Sequence, residues 1–144
     1  MKNRANGIEI EYDERGPKEG TPLLMIQGFG SQMTSWPIEF FNMLADAGMR
    51  VIRFDNRDVG LTQKWTGIFP KVQEIQRALK SGRKPDVPYT LADMASDAAG
   101  LLDVLGIESA HIAGASMGGM IAQLVALVYP EKTRSLISIF STTS

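Results

Sequence analysis

The sequence predicts an α/β fold built on a mostly parallel sheet with helices on both faces. Residues 23–26 are a short unbroken apolar run, and residues 51–54 are apolar except for Arg53; both are typical of strands buried on both faces of a parallel sheet. Strand-like and helix-like segments then alternate along the chain, as they do in folds built from strand–helix–strand units. With 144 residues and 44% apolar residues, the chain is about the size of one ordinary domain.

The first half of the chain supports this order of elements. GIEIEYDERG alternates apolar and polar residues like a half-buried strand, and Asn6-Gly7 before it predicts a tight hairpin turn after a very short strand. WPIEFFNMLADAGM predicts a helix with Pro37 in its first turn and Gly48 at its C-cap. Residues 61–89 are irregular, and only VQEIQRALKSG within them predicts a short helix.

The second half is more regular. Thr90 and Asp93 form a variant capping box before a helix that ends at Gly106. SAHIAGAS predicts a strand, MGGMIAQLVALVYP an apolar helix packed deep against the sheet, and RSLISIF a further strand. That last strand is apolar on both faces, so at a sheet edge it would invite pairing with another chain.

Composition excludes several classes of function. Fifteen basic residues against sixteen acidic ones predict no nucleic-acid partner. No apolar run approaches the ~20 residues of a membrane span, and MKNRANGIEI lacks the apolar core of a secretory signal. We therefore expect no membrane partner and take the cytoplasm as the default location. The absence of Cys excludes disulfides and thiolate metal sites, and we expect no cofactor and no bound metal.

The stretch GASMGG, residues 114–119, carries the candidate chemistry. It fits G-x-S-x-G, lies between a predicted strand and a predicted helix, and therefore resembles a nucleophile elbow. Glycines suit the close crossing of strand and helix, and the Met117 N–H at the helix N-terminus can donate to an oxyanion. The alternative is a plain glycine turn.

Two other interpretations of the glycine-rich stretches fail on single residues. A phosphate-binding P-loop would require Lys and then Ser or Thr after Gly119, where Met120 and Ile121 stand. A dinucleotide fingerprint that begins at Gly28 would require a third glycine at position 33, which is Met33.

The sequence contains one histidine, His111. It precedes Ser116 by five residues on the same predicted strand, which corresponds to about 16 Å. We therefore interpret His111 as structural rather than as the catalytic base. Asp55 and Asp58 follow a neighbouring strand and are better placed, but the favoured interpretation of Asp55 is a buried ion pair with Arg57. The acidic residues of the predicted 90–106 helix are interpreted as cap and solvated-face residues: Asp93, Asp97 and Asp103.

Together these motifs resemble the N-terminal half of an α/β-hydrolase over nearly the whole chain, most closely esterases of the small-ester and polyketide methyl-ester type. LLMIQGFG is similar to the family's oxyanion loop, RVIRFDNRDVGLT to its D-x-R-G-x-G-x-S segment, and AHIAGASMGG to its elbow. The resemblance implies Ser116 as nucleophile, Phe29 and Met117 N–H groups as oxyanion hole, and Gly28 and Gly30 beside the substrate. Gln27 and Asp58 replace the family's usual His and Gly.

The resemblance also implies what residues 1–144 lack. They correspond to the N-terminal half of the hydrolase core domain, an incomplete fold without its lid and C-terminal strands. The catalytic acid and histidine would follow Ser116 in the chain order of the family. Truncation, proteolysis, a second polypeptide or a swapped dimer would each explain this.

Two functions remain open at this point. One is a serine hydrolase of carboxylic esters whose histidine and acid come from outside this chain, with thioester hydrolysis, perhydrolysis and acyl transfer as sister chemistries. The other is a non-catalytic module that binds a ligand or protein partner through the sheet edge, through a Met-rich pocket mouth or through the basic loop at Arg83-Lys84. The Met-rich mouth would comprise Met33, Met117 and Met120.

Overall fold

A computed structural model describes residues 1–143. The strands are β1 (Lys2–Ala5), β2 (Ile8–Arg15), β3 (Thr21–Ile26), β4 (Met49–Phe54), β5 (Ala110–Ala115) and β6 (Thr133–Ile139). The α-helices are α1 (Ile38–Asp46), α2 (Val72–Lys80), α3 (Leu91–Val104) and α4 (Met117–Val128). Single 3₁₀ turns lie at Met33–Ser35 and Pro130–Lys132. None of the helices within residues 1–143 is long and apolar enough to cross a membrane.

The strands form one sheet in the order β1-β2-β4-β3-β5-β6. β4, β3, β5 and β6 run parallel, while β1 and β2 form an antiparallel hairpin added beside β4. The predicted mostly parallel α/β sheet is therefore confirmed. Because β3 lies at the centre, the loops that follow β4, β3 and β5 meet at one edge of the sheet.

Helices cover both faces of the sheet and divide the core in two. α3 and α4 pack on one face over Leu24, Ile26 and Ile112. α1 covers the other face, where Phe41 packs against Met25 and Val51. The strands β3, β4 and β5 therefore bury side chains on both of their faces, which explains the unbroken apolar run at residues 23–26.

Local signals in the sequence account for the boundaries of several elements. Asn6 and Gly7 both have positive φ, 47° and 80°, as the tight turn between β1 and β2 requires. The Asp93 carboxylate accepts hydrogen bonds from the Thr90 N–H and hydroxyl, which caps α3 as predicted. These two bonds lower the pKa of Asp93, with the bond from the hydroxyl contributing most.

The strand β6 is the edge of the sheet beyond β5. Leu136 and Ile137 are 42% and 45% exposed there, and Phe140 directly after the strand is also exposed. The structure therefore leaves apolar side chains on both faces of an edge strand, as the sequence predicts.

Candidate functional site

Ser116 occupies a strained backbone conformation between β5 and α4. Its φ and ψ are 55° and −123°, a combination that residues with a side chain rarely adopt, and it is the N-cap residue of α4. Its N–H donates to the Ile139 carbonyl at 2.8 Å, and its carbonyl accepts from the Gly119 N–H at 2.9 Å. Such a conformation costs on the order of 1–3 kcal/mol and persists because the surrounding structure holds it. The Ser116 residue is exposed at the carboxyl edge of the sheet.

Two glycines make this sharp turn sterically possible. A Cβ atom on Gly114 would lie 2.0 Å from the Gly118 carbonyl oxygen. A Cβ atom on Gly118 would lie 2.3 Å from the Ile26 carbonyl oxygen on β3. The first contact is with the backbone of α4 and the second with that of β3, and neither can move without displacing its element, so both positions of the G-x-S-x-G pattern require glycine.

The loop after β3 lies directly against Ser116. A Cβ atom on Gly28 would lie 3.1 Å from Ser116 Cβ, so no side chain fits between loop and elbow without displacement. The Gly28 N–H donates to the Gln27 side-chain oxygen at 3.2 Å, and the buried Asn56 amide donates to the Gln27 carbonyl at 2.9 Å. Gln27, which stands where the family usually has His, therefore accepts one hydrogen bond through its side chain and one through its carbonyl.

Two amide groups beside Ser116 are free to bind a ligand. The Phe29 N–H and the Met117 N–H make no hydrogen bond within residues 1–143. The Met117 N–H belongs to the first residue of α4, where the helix dipole adds partial positive charge. Phe29 and Met117 also line the same cleft. This pair can stabilise a negative charge that develops on an oxygen atom.

The predicted ion pair between Asp55 and Arg57 is wrong. The buried Asp55 carboxylate accepts the Met33 N–H at 2.7 Å and the Leu61 N–H at 3.0 Å, while its carbonyl accepts from the Thr62 hydroxyl. Asp55 thereby connects the loop after β4 to the 3₁₀ turn at Met33–Ser35, which follows the loop after β3. The backbone N–H groups that reach Asp55 satisfy its charge without a cation.

The prediction that Asp97 faces solvent is also wrong. Asp97 is 2% exposed and accepts two hydrogen bonds from the Arg57 guanidinium, at 2.7 Å each, and a third from the Asn6 amide at 2.8 Å. The carboxylate raises the pKa of Arg57 above its ordinary value, mainly through these hydrogen bonds. Asp103 on the same helix is exposed and paired with Lys132, as a solvated-face residue should be.

Arg57 also belongs to a polar cluster beside the cleft, together with Asp58 and Tyr89. Its guanidinium lies 4.9 Å from the centroid of the Tyr89 ring, and the Tyr89 hydroxyl donates to Asp58 at 2.5 Å. Burial, followed by the hydrogen bond and charge of Asp58, raises the pKa of Tyr89 to about 12. Asp58 has a φ of 66°, the left-handed conformation that glycine favours, which explains why the family usually has Gly there.

The cleft beside Ser116 has a volume of about 400 Å³. One part of its wall is apolar and the other is the polar cluster of Arg57, Asp58 and Tyr89. The apolar part includes Phe29, Val59, Leu91, Met94 and Met117. Of the predicted Met-rich mouth, Met117 lines this cleft, whereas Met33 lies in the 3₁₀ turn and Met120 is not among the lining residues. Tyr89, Leu91 and Met94 were missed because no short motif marks them.

The structure separates His111 from this cleft. It lies on β5 opposite Leu23 and Ser135, near the amino ends of the parallel strands, and its Nδ1 is 2.6 Å from the Ser135 hydroxyl. Ser116 follows the carboxyl end of the same strand. No cluster of three or more side chains suited to a metal ion occurs in residues 1–143.

Comparison with known proteins agrees with the fold. The profile of the α/β hydrolase fold family matches residues 21–143. Rhodomycin D methylesterase from Streptomyces sp. (strain C5) is 36% identical over 121 residues, which cover 84% of this chain and 35% of the relative. Rhodomycin D methylesterase from Streptomyces peucetius is also 36% identical over 121 residues, with the same coverage of both chains.

A solved structure shows the same similarity in three dimensions. A thermophilic esterase from Thermogutta terrifontis superposes with a TM-score of 0.77 at 27% identity, over 99% of this chain and 46% of that chain. The chain thus spans about a third of the length of these curated relatives and under half of the solved structure. The sheet order, the strained Ser116 and the family match lead to one conclusion: the chain belongs to the α/β hydrolase fold family.

Proposed function

We propose that the protein is a serine hydrolase of carboxylic esters in which Ser116 is the nucleophile. The observation that supports this best is the strained Ser116 at the N-terminus of α4, beside two amides without hydrogen-bond partners at Phe29 and Met117. Relatives of this chain include methylesterases and an esterase, which favours an ester substrate.

The chemistry would proceed in two steps. The Ser116 hydroxyl oxygen attacks the ester carbonyl carbon while a base takes the hydroxyl proton, and the carbonyl oxygen becomes an oxyanion between the Phe29 and Met117 N–H groups. The bond from carbon to the alcohol oxygen then breaks, and the alcohol leaves with the proton. Water attacks the acyl-enzyme in the same way and releases the carboxylic acid. Gly28 and Gly30 would leave room for the substrate because neither has a side chain.

The base and its acid partner would come from outside this chain. The single histidine of the sequence, His111, is hydrogen-bonded to Ser135, at the end of the sheet opposite to Ser116. Removing the base of a catalytic triad costs several orders of magnitude in rate. We therefore expect the 144-residue chain to hydrolyse esters at least roughly a thousandfold more slowly than a form extended to the length of its relatives.

Hydrolysis of a p-nitrophenyl ester by that extended form tests the assignment. Ser116→Ala should lower kcat by at least about a thousandfold, whereas His111→Gln should leave kcat within about twofold. Equal rates for Ser116→Ala and the unsubstituted protein would rule out Ser116 as nucleophile. The remaining function would then be a non-catalytic module that binds a ligand or protein partner.

We also propose that β6 pairs with a further strand, either from a C-terminal half of the protein or from a second chain. The exposed Leu136 and Ile137 on this edge strand support the proposal, because an unprotected apolar edge is a template for strand pairing. Sedimentation velocity of the 144-residue chain should show self-association, and Ile137→Lys should weaken it. A monomer at all concentrations would exclude pairing with a second copy of the chain and leave a C-terminal half as the source of the strand.

A further inference from the structure

The segment 64–84 differs from the rest of the chain in charge. It carries six basic side chains and one acidic side chain, whereas the remaining residues carry nine basic and fifteen acidic ones. The segment therefore has a net charge of +5 in a chain whose net charge is −1. Lys64 is occupied by the carbonyls of Val59, Gly60 and Thr62. No ion pair within residues 1–143 involves the other five, which are Lys71, Arg77, Lys80, Arg83 and Lys84.

The same segment exposes large apolar side chains. Ile68 is 95% exposed and Phe69 is 53% exposed, which is unusual for neighbouring residues of this size. Trp65, Val72 and Leu79 are exposed as well. Trp65, Ile68 and Phe69 also line an open groove of about 510 Å³. Five large apolar side chains are thus exposed between residues 65 and 79, and three of them share one groove.

Helix α2 within the segment is amphipathic. None of its residues is buried. Val72, Ile75 and Leu79 recur at helical spacing on one side, and Arg77 and Lys80 lie on the other. In a globular core an apolar helix face normally packs against a sheet or another helix, whereas on this face of α2 Val72 and Leu79 are exposed and Ile75 is half-buried.

The segment adjoins the cleft of the candidate site. The Phe69 ring packs edge-on against Tyr89, with the ring centroids 6.4 Å apart, and Tyr89 lines the cleft. An occupant of the segment would therefore lie next to the cleft.

We propose that segment 64–84 binds the surface of an anionic phospholipid bilayer. A partner that covers this segment has to bind exposed apolar side chains and has to compensate a net charge of +5. An anionic bilayer offers both, because basic side chains bind its lipid phosphates while apolar side chains enter the boundary between headgroups and acyl chains. Trp65, Ile68, Phe69, Val72 and Leu79 supply the apolar contact. The expectation of no membrane partner was based on the lack of a span, and a helix lying on the surface does not require one.

Co-sedimentation of the 144-residue chain with phospholipid vesicles tests the charge requirement. We expect binding to vesicles that contain phosphatidylglycerol, weaker binding at high salt, and little binding to pure phosphatidylcholine. Lys80→Gln should weaken binding roughly fivefold, because each basic residue near an anionic surface contributes about that factor. Lys18→Gln, which removes an exposed lysine outside the segment, is the matched control and should leave binding unchanged.

Tryptophan fluorescence with brominated phospholipids tests the insertion. The chain has two tryptophans, of which Trp36 is buried in the same core cluster as Phe41 and Trp65 is exposed on the segment. Vesicles with brominated acyl chains should quench Trp65, and Trp65→Phe should abolish that quenching. Ile68→Ser should weaken binding about tenfold, as the loss of one inserted large apolar side chain predicts. Leu127→Ser, at an exposed position of α4, should have no effect.

Three results would overturn the proposal. Equal binding to anionic and zwitterionic vesicles, or equal loss with Leu127→Ser and Ile68→Ser, would indicate general apolar adhesion. Binding without quenching of Trp65 would assign the contact to another surface. If the chain binds neither kind of vesicle, the proposal is wrong and the segment binds a protein surface instead. None of these measurements depends on ester hydrolysis, so they fail or succeed independently of the role of Ser116.

Discussion

Replacing Asp97 with alanine would remove the anion that holds three separate parts of the chain together. Its carboxylate on α3 accepts hydrogen bonds from Arg57 in the loop after β4 and from Asn6 in the β1–β2 turn. Asp97→Ala removes all three hydrogen bonds and leaves the Arg57 guanidinium without an anion. The Arg57 side chain is only 15% exposed, so water can replace the lost carboxylate only in part.

The size of the effect follows from this burial. Removing one partner of a buried ion pair costs about 3–5 kcal/mol, because the remaining charge is left in a poorly solvated position. The partial exposure of Arg57 places Asp97→Ala at the lower end, about 3 kcal/mol. Domains of this size have a total stability of roughly 5–15 kcal/mol. If the free energy of unfolding falls by about 2 kcal/mol per M urea, the midpoint of urea unfolding should be about 1.5 M lower for Asp97→Ala.

Urea unfolding followed by circular dichroism measures this shift, and α3 supplies its own control. Asp103→Ala removes an exposed carboxylate paired with Lys132 and should cost less than about 1 kcal/mol. The double variant Arg57→Met/Asp97→Leu should be more stable than Asp97→Ala, because it leaves no buried charge unpaired. Equal midpoints for Asp97→Ala and Asp103→Ala would refute the reasoning.

Two other predictions concern the elbow and the cleft. Gly118→Ala should lower the free energy of unfolding by about 2–3 kcal/mol, because its Cβ would lie 2.3 Å from the Ile26 carbonyl; an unchanged urea midpoint would contradict this. Asp58→Asn should lower the pKa of Tyr89 below about 12, because it removes the charge of Asp58 while the larger effect of burial remains; NMR of ¹³C-labelled tyrosine measures it. Since the folded-state pKa of Tyr89 is raised, its contribution to stability is full below about pH 10 and is lost as the pH rises through about 12, and Tyr89→Phe should abolish this dependence. A Tyr89 pKa that stays near 12 in Asp58→Asn would mean that burial alone raises it.

The sequence was sufficient where a structure depends on neighbours along the chain. The Asn6-Gly7 turn, the Asp93 cap of α3 and the short helix within residues 61–89 were each predicted from a few adjacent residues, and the structure confirms them. The steric requirement at Gly114 also follows from a local crossing of strand and helix. Turns, caps and side-chain periodicity involve residues fewer than about five positions apart, so their signals survive in the sequence alone.

Tertiary structure decided which distant groups meet. Arg57 is paired with Asp97, forty residues away, rather than with the neighbouring Asp55, because backbone N–H groups from two loops already satisfy the Asp55 carboxylate. Tyr89 reaches the cleft only because the loop before α3 folds back over the carboxyl edge of the sheet. Periodicity and motif spacing carry no information about such pairings. These pairings depend on which strands and loops lie next to one another in the folded sheet. The sequence by itself therefore determined the elements and the position of Ser116, and the tertiary structure determined the ion pair and the cleft around it.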